Sequence, residues 1–169
     1  MVRIKRVKRI AVAVKDLDAA VKNWQKLFGM RPFQKGEEPE DKYAFVAFHV
    51  ADHTGEDVTT IEFLSPINDP NGEMLLGKFI KNHGEGLYMV TLETQGTSDE
   101  VDEELKKTGL KGSWGGQLKH WETTKGGIKS WTEHYISPVN ANGVLVTLAS
   151  IVYATEVLTS PPGITIRNK

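Results

Sequence analysis

The stretch that decides the fold is RIAVAVKDLDAAVKNWQKLFG, residues 9–29. Residues 7–14 alternate as a strand does, because a β-branched residue occupies every second position from residue 10 onward. A helix is predicted directly after this strand, since apolar residues then recur at helical spacing. Asp16 is the predicted N-cap, and Gly29 lies just past the predicted end of the helix. The segment therefore predicts a strand that runs straight into an amphipathic helix.

The second half of the chain repeats this order of elements. Residues 87–93 predict a strand, Ser98 is the predicted N-cap of the helix that follows, and that helix ends at Gly109. The charged stretch 36–41 is predicted to be a turn. Each half ends in a pair of predicted strands. These strands are 43–50 and 58–64 in the first half, and 128–136 and 144–151 in the second.

The repeated pattern predicts a single domain of the α+β class, built from two tandem βαβββ modules that form a cup-shaped mixed sheet. The modules are predicted at about residues 5–70 and 85–152. A linking helix is predicted at about 71–83, and a C-terminal tail at 153–169. Each module has one face covered by its helix and one bare face, so a functional site is expected inside the cup.

Composition excludes several classes of protein. The 169 residues contain 21 Lys and Arg against 22 Asp and Glu, so no overall field favours nucleic acid. The absence of cysteine excludes disulfides, thiolate metal sites and a cysteine nucleophile. No apolar run approaches the roughly 20 residues that cross a bilayer, so we expect a soluble, cytoplasmic protein. The basic start, with Arg3, Lys5, Arg6 and Lys8, is expected to be the solvated face of the first strand.

Four stretches in order along the chain resemble the vicinal-oxygen-chelate (glyoxalase/bleomycin-resistance-like) superfamily, and within it the methylmalonyl-CoA epimerases. They are residues 10–20, 62–69, 78–87, and the closing Ser137-Pro138 with 142–146. Together they span about residues 7 to 150. The resemblance implies a glyoxalase-like fold, a homodimer, and an enzyme in which a divalent metal ion polarises a substrate carbonyl.

The metal site that the resemblance implies is degenerate in this sequence. The family pattern has one ligand in each of four inner strands, and the corresponding positions read Arg9, Glu62, Met89 and Thr147. Only Glu62 matches the pattern, and the position of a further carboxylate in the epimerases reads Phe45. One carboxylate with a thioether and a hydroxyl does not hold a hard divalent cation. We therefore expect no metal cofactor, and a CoA thioester stays a possible substrate.

Strand parity, taken with the resemblance, predicts an apolar cup with a few polar groups. Such a cavity suits a small organic ligand with an apolar body and one acidic or carbonyl end. The predicted inner residues are Arg9, Ala11, Ala13, Phe45, Ala47, His49, Thr60, Glu62, Leu64, Met89, Thr91, Leu145, Thr147 and Ala149.

The role of Arg9 has three interpretations. Its guanidinium could hold a substrate carboxylate or thioester oxygen, or stabilise an enolate. It could instead pair with Glu62 across the cup. In the third interpretation it lies outside the cup, within the basic start of the strand.

Glu62 and His49 are the candidates for moving a proton. As a general base Glu62 would need a raised pKa, and an adjacent Arg9 is expected to lower that pKa instead. His49 could be a base near neutral pH, or a hydrogen-bonded residue at the rim. His134 cannot form an acid–base pair with Glu133, because adjacent strand residues face opposite ways.

Trp114, Trp121 and Trp131 flank glycine-rich segments in the second module. They could form a lid over a planar or extended ligand, or they could be ordinary core and interface residues. The candidate ligand-binding residues are Arg9, Phe45, Met89, Thr147 and Trp131.

Three functions are consistent with these observations. The first is a metal-independent isomerase or lyase that acts next to a carbonyl on a carboxylate or acyl-thioester substrate, with Glu62 or His49 moving the proton. The second is a non-catalytic protein that binds or sequesters a small molecule, as the bleomycin-resistance type does. The third is a metal enzyme with a relocated site. No nucleic acid or membrane partner is expected.

Overall fold

The computed structural model describes residues 1–50, 59–108, 119–122 and 128–153, and for residues 119–122 it describes the backbone only. The strands in these ranges are β1 Ile4–Ala13, β2 Pro32–Glu38, β3 Tyr43–His49, β4 Thr60–Pro66, β5 Gly86–Thr94, β6 Lys119–Glu122, β7 Ile128–Ile136 and β8 Leu145–Tyr153. The helices are α1 Leu17–Phe28, α2 Leu75–His83 and α3 Ser98–Lys107, and a short 3-10 turn lies at Pro138–Asn140. None of these helices is long and apolar enough to cross a membrane.

The two halves of the sheet are built in the same way. The strands lie in the order β2-β3-β4-β1-β5-β8-β7-β6. β1 pairs in parallel with β4, β5 pairs in parallel with β8, and β1 and β5 join the halves as antiparallel neighbours. In each half a helix follows the first strand and three strands follow the helix. The predicted α+β class, with two βαβββ modules in one mixed sheet, is confirmed.

The sheet curls so that its two outer parts approach each other. Tyr43 on β3 and Tyr135 on β7 are separated by four strands in the sheet order. Both nevertheless pack against one buried cluster on the inner face, which contains Ala11 and Met89. The inner face is therefore the concave wall of a cup.

Helix α1 has both of the ends that the sequence predicts. Oδ1 of Asp16 accepts a hydrogen bond from the backbone N–H of Ala19 at 2.9 Å. Gly29 has a left-handed φ of 67°, and its N–H donates to the carbonyl of Gln25 at 2.9 Å. Glycine adopts this conformation without steric cost.

Replacing Asp16 with alanine is expected to lower the free energy of unfolding by about 1 kcal/mol, because the N–H groups of the first turn lose their side-chain acceptor. Urea denaturation followed by circular dichroism measures the change. The matched control is Asp16→Asn, which keeps an N-cap acceptor and is expected to retain the stability of the original chain. Equal losses in both variants would contradict the capping role.

Three local predictions are wrong for identifiable reasons. Residues 36–38, predicted as part of a turn, belong to β2, an edge strand whose mostly exposed side chains do not alternate in polarity. The N-cap of α3 is Thr97 and not Ser98, and Thr97 forms a capping box with Glu100. Helix α2 begins at Leu75 and not at residue 71, because Oδ1 and Oδ2 of Asp69 accept the N–H groups of residues 73 and 74 in the preceding turn.

The helices cover different parts of the sheet. Trp24 of α1 packs edge-on against the buried Phe63 on the convex face, with ring centroids 5.0 Å apart. Val101 of α3 packs on the same face of the second half with Leu148. Helix α2 differs, because Leu76 belongs to the buried cluster that lines the concave face. Helix α2 thus covers one end of the cup.

A bulge in β1 buries part of the basic start. Between the pairs made by Val7 and Arg9, β1 advances two residues while β5 advances one, so Lys8 is the extra residue. Lys8 is only 4% exposed, and its Nζ lies 5.3 Å from the centroid of the Tyr153 ring. Lys8 is therefore buried, and the prediction that it lies on a solvated face is wrong.

Arg6 departs from the same prediction. Its Nε lies 2.8 Å from Oε2 of Glu93, a fully enclosed carboxylate that Lys5 also contacts at 3.0 Å. The hydroxyl of Tyr153 donates to the same carboxylate. Arg6 is therefore half-buried in an ion pair, whereas Lys5 and Arg3 stay exposed as expected.

Candidate active site

Arg9 lies at the centre of the concave face and makes polar contacts with three side chains. Its Nη2 lies 2.6 Å from Oε1 of Glu133, and its Nη1 lies 3.3 Å from Oε2 of Glu62. Its Nε donates to Oγ1 of Thr91 at 3.1 Å. The Arg9 side chain is 16% exposed, so the interpretation that places it outside the cup is wrong. The pairing with Glu62 is present, with Glu133 as a second and closer partner.

Strand register explains why these residues meet. Arg9 faces Thr91 across the β1–β5 pair, and Thr91 faces Thr147 across the β5–β8 pair. Glu62 faces Ala11, two residues further along β1. Directly opposed residues project from the same face of a sheet, so one row of side chains crosses the floor of the cup.

Glu133 is the most enclosed member of the site, with no exposed surface. Besides Arg9, its Oε1 lies 3.4 Å from Oγ1 of Thr91 and 3.3 Å from Oγ1 of Thr147. The hydroxyl of Tyr135 donates to its Oε2 at 3.3 Å. A buried carboxylate is stable only with such partners, since its desolvation is costly. These contacts hold Glu133 and Arg9 in one arrangement.

The electrostatics of the site single out Glu62. Burial raises the pKa of Glu62, Arg9 opposes that rise, and Glu133 adds to it. Arg9 acts in the expected direction, but the net shift of the Glu62 pKa is upward, because burial and a second carboxylate outweigh one guanidinium. Burial disfavours the charge on Arg9, but Glu133 and Glu62 more than offset this effect and raise its pKa. Arg9 is a permanent cation.

Tyr43 and Tyr135 lie close enough to Arg9 and the glutamates of the site to interact with them electrostatically. Burial raises the pKa of Tyr43, and the charge of Glu62 raises it further. Burial and the neighbouring Glu133 likewise raise the pKa of Tyr135. Both phenols are therefore neutral hydrogen-bond donors at neutral pH.

Trp131 on β7 and His49 on β3 lie on opposite sides of Arg9 in the sheet. The guanidinium of Arg9 lies 5.4 Å from the Trp131 ring centroid, a cation–π contact. His49 stacks on Phe33 with centroids 3.7 Å apart and an interplanar angle of 16°. Burial and the charge of Lys8 lower the pKa of His49, so its imidazole is neutral at neutral pH. Nε1 of Trp131 and Nδ1 of His49 are both buried without a partner among the described residues.

The other predicted residues lie in less polar surroundings. Met89 is buried in the inner apolar cluster, and Phe45 packs against that cluster beside α2. His134 lies on the convex side, where its Nε2 is 3.1 Å from Oγ of Ser98 on α3. Adjacent strand positions do separate His134 from the inward Glu133, as predicted. Trp114 lies outside the described residues, and the structure describes only the backbone of Trp121, within β6.

Sequence reasoning missed the inward role of Glu133, Tyr135 and Tyr43. A signal was present, because residues two apart in a strand share a face and Glu133 lies between Trp131 and Tyr135. This signal was ambiguous, since Thr132 and His134 on the other face of β7 are polar and buried as well.

The donor set does not fit a divalent metal ion. Within the described ranges no three His, Cys, Asp or Glu side chains are grouped so that they could hold one. The position of one family ligand is filled by a guanidinium, which lies between the two carboxylates of the site. A guanidinium has no lone pair to donate. A metal-assisted step therefore does not fit the residues of this site.

Removing metal ions is accordingly expected to leave the melting temperature unchanged. A bound ion at 100 times its Kd would stabilise the fold by about 2.7 kcal/mol, which calorimetry resolves easily. The measurement compares protein treated with a chelator against protein saturated with Co²⁺ or Zn²⁺. A clear stabilisation by either ion, with near-stoichiometric metal in the purified protein, would contradict the expectation.

Comparison with known proteins defines the class. Residues 8–125 match the family model of the glyoxalase/bleomycin resistance protein/dioxygenase superfamily. The match covers more than half of the chain, and the chain belongs to this family. The predicted recognition of the superfamily is confirmed. No curated protein matches the chain in sequence.

Among solved structures the chain is similar to methylmalonyl-CoA epimerases. The Streptomyces coelicolor enzyme, in complex with 2-nitronate-propionyl-CoA, is 18% identical at a TM-score of 0.68, covering 87% of this chain and 97% of that one. The Mycobacterium tuberculosis enzyme is 17% identical at 0.67, covering 88% and 89%. A hypothetical protein from Bacillus halodurans is 17% identical at 0.68, covering 90% and 98%. At such identities the likeness shows the shared fold.

Proposed function

We propose that the protein is a metal-independent isomerase or lyase, which moves a proton next to the carbonyl of a carboxylate or acyl-thioester substrate. The observation that carries the proposal is Glu62, a buried carboxyl with a raised pKa beside a fixed cation. A carboxylate with a raised pKa is a stronger base than one in water. The similarity in fold to methylmalonyl-CoA epimerases supports the substrate class.

The proton transfer uses groups of this chain. The carboxylate of Glu62 takes the proton from the carbon next to the carbonyl, and the electron pair of that C–H bond moves onto the carbonyl oxygen. The phenol of Tyr43 or Tyr135 gives a proton to the opposite face, which yields the epimer, and proton exchange with solvent then restores the phenol and the Glu62 carboxylate. Expulsion of a group on the next carbon instead gives a lyase product.

Arg9 stabilises the enolate electrostatically. Its three contacts take one N–H from each guanidinium nitrogen, which leaves two of the five N–H groups without an acceptor in the described part of the chain. Its permanent charge lies within the cup, where the low dielectric strengthens its attraction for the negative charge of the enolate. Tyr43 and Tyr135 are neutral donors beside the same position.

The experiment follows proton exchange on methylmalonyl-CoA in D₂O with chelator present. Proton NMR is expected to show loss of the signal of the carbon-bound proton in proportion to the amount of protein. A racemic sample serves for exchange, and a single epimer serves for inversion. Absence of catalysed exchange on this thioester and on a panel of 2-substituted acyl thioesters and carboxylates would contradict the catalytic proposal.

A second candidate function is ligand binding without catalysis. It is favoured by the charge balance of the site, because two carboxylates neutralise Arg9 and no net positive charge replaces that of the family's metal ion. Binding of a small molecule in the cup without exchange of its protons would establish this function. The homodimer implied by the family resemblance stays a prediction, which sedimentation analysis checks.

A further inference from the structure

The two carboxylates that contact Arg9 differ in how firmly they are held. Glu133 accepts from Arg9 at 2.6 Å, from two threonine hydroxyls, and from the phenol of Tyr135 at 3.3 Å. Glu62 has one polar contact among the described residues, to Nη1 of Arg9 at 3.3 Å. Several partners fix a side chain in one arrangement, whereas a single long contact does not. Glu62 can therefore turn to a substrate, while Glu133 and the phenol on it stay in place.

Tyr135 and Glu62 belong to opposite halves of the sheet. Glu62 is on β4 and Tyr135 is on β7, and β1, which carries Arg9, lies between these two strands in the sheet order. The Tyr135 hydroxyl donates to Oε2 of Glu133, whose Oε1 contacts Nη2 of Arg9. Glu62 contacts the other terminal nitrogen, Nη1. The phenol of Tyr135 and the carboxylate of Glu62 are therefore attached to opposite ends of one guanidinium.

Tyr43 lies on the same side as Glu62. It is on β3, the neighbour of β4 in the sheet, where it pairs with Pro66. Burial has the largest effect on the pKa of both phenols, and the charged group with the strongest further effect is Glu62 for Tyr43 and Glu133 for Tyr135. A donor beside the base returns a proton to the face from which the base removed one. Tyr43 is therefore not placed to invert the carbon that Glu62 deprotonates.

The other hydroxyls beside Glu133 are enclosed by the fold. Oγ1 of Thr91 and Oγ1 of Thr147 lie 3.4 and 3.3 Å from Oε1 of Glu133, but neither residue has any exposed surface. Tyr135 is partly exposed. Burial and Glu133 raise the pKa of Tyr135, so its phenol keeps its proton in the resting site and yields it to a base as strong as an enolate carbon. Of these three hydroxyls, only that of Tyr135 can reach a ligand.

We propose that Tyr135 is a catalytic residue, the acid that protonates the substrate carbon on the face opposite Glu62. The reaction is then an epimerisation at a carbon that carries one hydrogen next to a carbonyl. The proposal rests on the proposed function, because Glu62 must first remove that hydrogen. It goes further in choosing between the two phenols and between an isomerase and a lyase.

The step balances without an oxidant or a reductant. Glu62 takes the proton, and the electron pair of the C–H bond moves onto the carbonyl oxygen beside Arg9. The O–H bond of Tyr135 then breaks, and the enolate electron pair forms a C–H bond on the other face. Glu62 is left protonated and Tyr135 ionised, so one proton lost to water and one gained from water restore the site.

The test measures which epimer gains deuterium. Each single epimer of methylmalonyl-CoA is incubated with the protein in D₂O with chelator present. Chiral chromatography with mass spectrometry gives the deuterium content of both epimers over time. With the original chain, deuterium is expected first in the inverted epimer, because the phenol of Tyr135 carries a deuteron from solvent while Glu62 holds the proton that it removed.

Three tyrosine variants separate the roles. Tyr135→Phe is expected to slow inversion by about 10²-fold or more, the usual contribution of a general acid. Deuterium is then expected in the unreacted epimer, because Glu62 still exchanges its proton with solvent and returns a deuteron to the same face. Tyr43→Phe is expected to slow exchange and inversion together and to keep their ratio. Tyr88→Phe, whose ring packs edge-on against Phe79 of α2, is the matched control and is expected to change neither rate.

Failure of this proposal differs from failure of the proposed function. Inversion at the original rate in Tyr135→Phe refutes the assignment, and so does a loss of inversion with continued exchange in Tyr43→Phe. Loss of exchange together with inversion in Tyr135→Phe would mean that the phenol supports the site and does not protonate the carbon. Exchange without inversion by the original chain overturns this proposal alone. Absence of exchange by the original chain overturns the proposed function, and this proposal with it.

Discussion

Replacing Glu62 with glutamine is expected to slow proton exchange on an acyl-thioester substrate by about 10²- to 10⁴-fold, the usual contribution of a general base. Glutamine preserves the shape of the side chain and an acceptor for Arg9, so ligand affinity is expected to stay within about threefold, or less than 1 kcal/mol. The measurement is NMR-detected exchange at saturating substrate, with affinity determined separately by calorimetry. A parallel loss of affinity would mean that Glu62 binds the ligand and does not carry the proton.

The matched control is Glu103→Gln on α3, the helix that packs on the convex face of the second half. The Glu103 side chain is 64% exposed there. This variant is expected to retain the full exchange rate. His49→Gln separates the two candidates for proton transfer. If Glu62 is the base, His49→Gln keeps most of kcat and raises KM, whereas loss of kcat in this variant alone would assign the proton transfer to His49.

The pH dependence of exchange has a definite sign. Glu62 must be ionised to accept a proton, and burial raises its pKa above the ordinary 4.5. The exchange rate is therefore expected to rise with pH, with the midpoint above 4.5. Glu133→Gln removes a neighbouring negative charge that raises the pKa of Glu62, so this midpoint is expected to move to lower pH. Movement in the opposite direction would contradict the charge arrangement described here.

Replacing Arg9 with methionine is expected to lower the free energy of unfolding by about 3–5 kcal/mol at pH 7, the usual cost of removing one member of a buried ion pair. Glu62 and Glu133 would then face each other inside the cup without the cation between them. Urea denaturation measures the change. The control is Arg3→Met, at an exposed position just before β1, which is expected to stay within about 0.5 kcal/mol of the original chain.

The loss caused by Arg9→Met depends on pH. A carboxyl whose pKa is higher in the folded chain than in the unfolded chain binds its proton more tightly when folded, so its penalty grows as pH rises above the unfolded value. Loss of Arg9 raises the pKa of Glu62 further, because Arg9 opposes the effect of burial. The destabilisation is therefore expected to be smaller at pH 5 than at pH 8. The triple variant Arg9→Met/Glu62→Gln/Glu133→Gln is expected to regain much of the loss, and failure to do so would assign the effect to packing.

The fold followed from the sequence because its signals are local and repeated. The strand ending near Ala13, the cap at Asp16 and the glycine after α1 each act within a few residues. Strand β2 gave no such signal, since it is a charged edge strand that gains its hydrogen bonds from β3. Its existence depends on pairing with β3, the next strand along the chain, and not on its own periodicity.

The site was predictable only in part for a related reason. Arg9 and Glu62 came from the family resemblance, and parity placed both inside. The inward position of Lys8 depends on a bulge, which breaks the period of two on which parity arguments rest. Glu133 lies in a strand covered on both faces, so its neighbours carry no inside–outside alternation. The raised pKa of Glu62 depends on burial, which a sequence does not measure.

The register of the sheet also limits how the two halves can be exchanged. Glu62 faces Ala11 in the first parallel pair and Thr147 faces Thr91 in the second, so Arg9 and Met89, each two residues earlier, occupy corresponding positions. A chain assembled from two copies of the first half would bring two guanidinium groups together over the floor. Two copies of the second half would supply two carboxylates with no guanidinium between them. The halves have thus become complementary, and neither can be duplicated to regenerate the whole.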